Sequence, residues 1–109
     1  MSDTLKILGQ VKPNATTLTT LYTVPGATSA LATSIVVCNQ SAVETKFRVS
    51  IAVAAAADNT KQYLYYDAEI AGNDTFIATM AIGMETTDLV RVYATLATLS
   101  FTLLGMERT

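Results

Sequence analysis

Asp67 and Glu69 are the one close pair of carboxylates that a strand would place on a single face. Their i, i+2 spacing sets them roughly 7 Å apart on an extended chain. Such a pair can hold a calcium ion or serve sugar hydrolysis; the plainer reading is a solvated or interface strand face. Tyr63 and Tyr65 fall on the same face. Outward tyrosines beside acids occur in protein interfaces and in sugar-binding faces, and the alternative is that one tyrosine packs against an adjacent loop. Arg48 and Arg91 are expected on outward faces too. They can pair with the acids across strands or across a subunit boundary, where they serve register and partner choice more than stability.

The rest of the inventory is poor in reactive groups. The chain has no histidine, no tryptophan and one cysteine. The usual Ser-His-acid and Cys-His systems are therefore out of reach, as are zinc sites of the Cys/His type. The five glycines are isolated and form no phosphate loop. No catalytic, cofactor or metal residue is assigned, and the chain reads as a non-enzyme. Cys38 follows Ile35, Val36 and Val37 and reads as a small buried hydrophobe.

Half of the 109 residues are hydrophobic and only 15% are charged, against roughly 25% in an average soluble domain. So few charges cover a free monomer's surface thinly, which points to burial against neighbours. The formal net charge is -2, and the seven basic residues are scattered singly. A binder of nucleic acid is not expected. The first residues lack the basic start and apolar run of a signal peptide. No apolar stretch reaches the about 18 residues that a membrane span needs, so synthesis in a cytoplasm is expected.

These side chains must be positioned by strands. Residues 44–54 alternate most clearly, with Phe47, Val49, Ile51 and Val53 inward and Lys46, Arg48 and Ser50 outward. In residues 62–70, Tyr63, Tyr65, Asp67 and Glu69 share one face, and Leu64, Tyr66, Ala68 and Ile70 the other. Further strands are read at 18–24, 28–38, from Thr75, at 88–94 and at 98–106. Pro25-Gly26, Asn39-Gln40-Ser41 and Gly72-Asn73-Asp74 separate them as turns. The alanines from Ala54 to Ala57 allow one short helical turn. Short strands at regular spacing predict an all-β fold, an antiparallel β-sandwich of jelly-roll type with about eight strands. Residues 1–12 are expected to be an N-terminal arm or edge strand, and residues 13–109 a single sandwich domain.

The run LGQVKPNATTLTTLYTVPGATSA, followed by SIVVCNQ, KFRVSIAV, KQYLYYD and NDTF, resembles a group of small virion proteins of tailed bacteriophages. The resemblance runs from near Leu8 to the final strand. Its most specific parts are Leu21 to Pro25 and Gln62 to Asp67, neither of them catalytic. It implies a structural protein of a phage particle, made in the bacterial cytoplasm and residing in the virion as capsid decoration or at the neck, baseplate or fibres. The expected partners are the chain itself, as a trimer, and other virion proteins such as capsid, neck or tail subunits. Neither nucleic acid nor membrane is expected as a partner. The alternative is a carbohydrate-binding module for host recognition, which would use the tyrosine and acid face.

Overall fold

A computed structural model describes residues 2–109. Eight strands make up the fold: β1 (Asp3–Val11), β2 (Thr19–Thr23), β3 (Ser29–Asn39), β4 (Thr45–Ala52), β5 (Tyr63–Ile70), β6 (Thr75–Met84), β7 (Leu89–Ala94) and β8 (Leu99–Arg108). They form two four-stranded antiparallel sheets, β1-β8-β3-β6 and β2-β7-β4-β5. This is the strand order of a jelly roll. The 5-to-11-residue strands give the sandwich that the alternating sequence predicts.

The core lies between the sheets. Phe47 on β4 and Phe101 on β8 are fully buried, with ring centroids 6.1 Å apart. Phe76 on β6 closes the cluster at 5.2 Å from Phe47. Ile35, Val37, Val49, Val92, Leu99 and Leu103 fill the space around them. Each comes from an inward position of a strand, and burial alternates along these strands with period 2.

Two hydrogen-bonded devices fix the loops and the gap between sheets. Asn39, only 2% exposed, donates through Nδ2 to the carbonyls of Val43 (2.9 Å) and Ala71 (3.1 Å) and accepts from the Ser41 amide. It thereby ties the β3–β4 loop to the β5–β6 loop. At this junction a Cβ on Gly72 would overlap the Ala42 backbone. On the inner side of the sheets, the Tyr22 hydroxyl on β2 donates to Glu107 on β8 at 2.5 Å, and Lys6 on β1 pairs with the same carboxylate at 3.1 Å.

Of the two forms expected of residues 1–12, arm or edge strand, the described residues take the second: β1 pairs with β8 of its own chain and forms the edge of the first sheet. Other local expectations change. Val53 is exposed, because β4 ends at Ala52 and the chain turns into a 3-10 segment at Val53–Ala55. The short turn expected in the alanine run is there, but Ala54 and Ala55 take left-handed backbone angles in it. Ser50 points outward yet is fully buried, since Arg91 and Tyr63 flank it on the neighbouring strands. Cys38 is only half-buried; it alternates outward between the buried Val37 and Asn39.

Candidate protein-interaction site

Arg48 is the centre of the outer face of the second sheet. It stands on β4, opposite Tyr93 of β7. Its guanidinium carbon lies 4.4 Å from the Tyr93 ring centroid and 4.2 Å from that of Tyr66 on β5. The cation is thus held between two aromatic faces, each attracting it through the ring quadrupole. Asp67 completes the group: its Oδ1 accepts from Arg48 Nε at 2.7 Å and its Oδ2 from a terminal nitrogen at 3.4 Å. A planar fork with fixed charge fits this role, and a lysine would not reproduce it. The Arg48 hydrogen bond holds the Asp67 carboxyl below its usual range, against the opposing effect of desolvation.

A β-bulge makes this arrangement. On β5, Ala68 pairs with Phe47 and Tyr65 with Val49, so Tyr66 and Asp67 together face Arg48. Within this bulge Asp67 takes the left-handed conformation (φ 54°). Asp tolerates this conformation better than most residues with a side chain. The bulge also shifts the faces. Tyr65 turns inward, with its ring 5.3 Å from Phe76 and 6.1 Å from Phe47, while Tyr66 turns outward and is 56% exposed.

The expectation that Tyr65 shares the outer face with Tyr63, Asp67 and Glu69 is therefore corrected. Strict alternation across the bulge exchanged Tyr65 for Tyr66. The remaining candidates distribute as follows in space. Tyr63 is half-buried and meets Tyr66 edge-on at 5.2 Å; its hydroxyl donates to Asp58 at 2.8 Å. Burial, and then this bond, push the Tyr63 hydroxyl above its ordinary range. Glu69 is exposed and stands opposite Lys46. Arg91 does not join the acids. It donates to the Ala56 carbonyl at 2.9 Å and so pins the 53–62 segment to the sheet. Alternation over residues 88–94 puts Tyr93 on the same side as Arg91, but only the pairing of β4 with β7 brings it to Arg48.

Beside this row lies a hollow of about 350 Å³ lined by Arg48, Asp58, Asn59, Thr60, Tyr63 and Tyr66. Asn59 shapes its rim by capping the 3-10 turn at Thr60–Gln62, accepting from the Lys61 amide at 3.1 Å. Among the described residues, no group of three or more His, Cys, Asp or Glu side chains is placed to share a metal ion. The arrangement offers flat aromatic surface, a fixed cation and exposed oxygens, which are means of recognition.

The first sheet presents a different outer face. β3 and β6 contain no charged residue at all. The four charges of this sheet sit toward one end, on β1 and β8, and pair with each other: Asp3 with Arg108 at 2.7 Å and Lys6 with Glu107. Leu5, Ile77 and Ile7 are exposed there by 81%, 65% and 52%.

The fold and these two faces define a jelly-roll β-sandwich with two chemically distinct broad surfaces. No family model matches the chain, and neither does any curated protein.

Proposed function

We propose that this chain is a structural subunit of a tailed bacteriophage particle, which self-associates and binds a larger virion scaffold as capsid decoration or at the neck, baseplate or fibres. The observation that carries the reading is the segregation of charge between its two outer faces. One face holds exposed Leu5, Ile7 and Ile77 with a single closed ion pair at its end. The other holds the Tyr66–Arg48–Tyr93 row with Asp67 and Glu69. A protein with two unlike contact surfaces can join two unlike neighbours. The sequence resemblance to small phage virion proteins points the same way. The jelly-roll fold occurs in viral capsid and lectin domains, and lends support only by analogy.

Quantitative mass spectrometry of purified particles from the phage that encodes the chain tests this. Recovery at a fixed copy number per particle is the expected result. Copy numbers matching the capsid lattice place it on the head, and low copy numbers at the neck or tail. Absence from washed particles overturns the reading.

A second reading is favoured by the hollow beside Tyr63 and Tyr66, whose polar rim of Asp58, Asn59 and Thr60 suits sugar hydroxyls. It makes the chain a carbohydrate-binding module for host recognition. Binding on a glycan array that vanishes in Tyr66→Ala supports it, and a blank array with the wild-type chain removes it.

A further inference from the structure

We infer that the outer face of the first sheet packs against the same face of a second copy of this chain, related by a twofold axis. The inference rests on the self-association proposed above and names the surface and symmetry that perform it.

The cross-strand register shows what this face is made of. Leu5, Met106 and Leu31 form one outward row, and Ile7 and Leu104 lie in the next. Gln10, Thr102, Val36 and Ile77 then run across all four strands. A sheet left in water ordinarily carries charges, particularly lysine, along its edge strands. Here the ten-residue edge strand β6 has none.

The dimensions fit one partner of similar size. Four strands about 4.8 Å apart and ten residues long, at about 3.3 Å per residue, span roughly 600 Å² in projection. A stable interface takes about 800 Å² of accessible surface from each side, which is what a corrugated face of this extent offers. The other outer face does not compete for this role. It carries Lys46, Arg48, Asp67 and Glu69, and the chain's own 53–62 segment is pinned across part of it.

Charge selects a second copy as the occupant. The charges that the strands bring to this face form one closed pair, so the face meets itself without an unpaired like charge from any strand. Among the described residues its one ion pair, Asp3 with Arg108, lies at one end. A twofold axis that lies between the two sheets and crosses the strands at their middle carries the two copies of that pair to opposite ends, where both stay in water. Threonine, alanine and aliphatic side chains then interdigitate between sheets about 10 Å apart, as in the interior of a sandwich. The resulting dimer takes the place of the trimer expected from the sequence.

Sedimentation of the purified full chain tests the inference. The wild-type chain is expected at twice its 11.6 kDa monomer mass. Ile77→Lys and Thr79→Lys, both at exposed positions of the β6 edge, are expected to shift it to monomer. Thr20→Lys, exposed on the opposite sheet, should leave the dimer intact. Cys38 gives a second readout, because it lies on the same outer face between Ser100 and Thr75. Maleimide should label it more slowly in the wild-type chain than in either monomeric variant. A wild-type monomer, a trimer, or a dimer that persists in both β6 variants overturns the inference. A monomer that is nevertheless present in particles removes only this pairing and leaves the virion reading standing. A dimer absent from particles does the reverse.

Discussion

Asp67 reaches Arg48 only because its own backbone is left-handed: with φ at 54°, its carboxylate comes to lie 2.7 Å from the arginine Nε. The bulge and the ion pair are one device. Glycine and asparagine accept this conformation, whereas alanine and especially valine are strained in it. Asp67→Asn and Asp67→Gly are therefore expected to melt near wild type and Asp67→Val well below, with Asp67→Ala between. Circular dichroism melts of the four variants check the order. Equal melting of Asp67→Val and Asp67→Asn would show that the backbone is not the constraint.

Tyr22 and Glu107 couple the stability of the fold to pH at both ends of the range. The Tyr22 hydroxyl, followed by Lys6, holds the Glu107 carboxyl below its usual range, while burial opposes them. A depressed carboxylate contributes stability above its unfolded value of about 4.3, and that stability is lost as the pH falls through the lower folded value. Burial, and then Glu107, push the Tyr22 hydroxyl up. That contribution is complete below about pH 10 and is lost as the pH rises beyond it. Removing the bond in Tyr22→Phe should cost about 1.5–3 kcal/mol near neutrality. It should also flatten the alkaline limb and shift the acid limb to higher pH. Urea midpoints measured from acid to alkaline pH test both changes.

Asn39 should be among the most sensitive polar positions. Its amide serves two loop carbonyls that are otherwise without a side-chain partner. Asn39→Ala strands them and should cost about 2–4 kcal/mol. Asn39→Asp matches the size but cannot donate, so it should be nearly as damaging. Chemical denaturation of both variants separates hydrogen bonding from packing.

Two small-residue exchanges should move stability in opposite directions. Gly72→Ala forces a Cβ into the Ala42 backbone and should cost about 2–4 kcal/mol as the two loops part. Ala27→Gly relieves an alanine held at φ 53° and should gain about 0.5–1 kcal/mol. Gly26→Ala, with nothing within 4 Å of the added carbon, is the neutral control. Thermal melts of the three variants suffice.

The sequence makes the strands legible because burial imposes period 2 on each one separately. Phe47, Val49 and Ile51 alternate with Lys46 and Arg48, and β4 lies where that pattern puts it. The Pro25-Gly26 turn is equally plain, although Ala27, and neither glycine nor proline, takes its left-handed position. What alternation cannot supply is a register shift, because a bulge is decided by two strands together. At Asp67 that shift exchanged Tyr65 for Tyr66 and moved one tyrosine of the candidate surface into the core. Tyr93 shows the same limit. Its outward direction is local, but its place against Arg48 depends on two strands far apart in sequence.

The position of β8 has a consequence for synthesis. It runs between β1 and β3 in the first sheet, yet it follows every other strand along the chain. As the protein leaves the ribosome, β1 emerges first and β8, its sole sheet neighbour, emerges after all the rest. A nascent chain stalled short of Leu99 holds all four strands of the second sheet and a first sheet with its middle missing. Folding of this sandwich therefore cannot proceed from the front. It closes in one late step, and until then the edge of β3 that β8 will occupy is open to whatever chaperone or sister chain waits at the tunnel mouth.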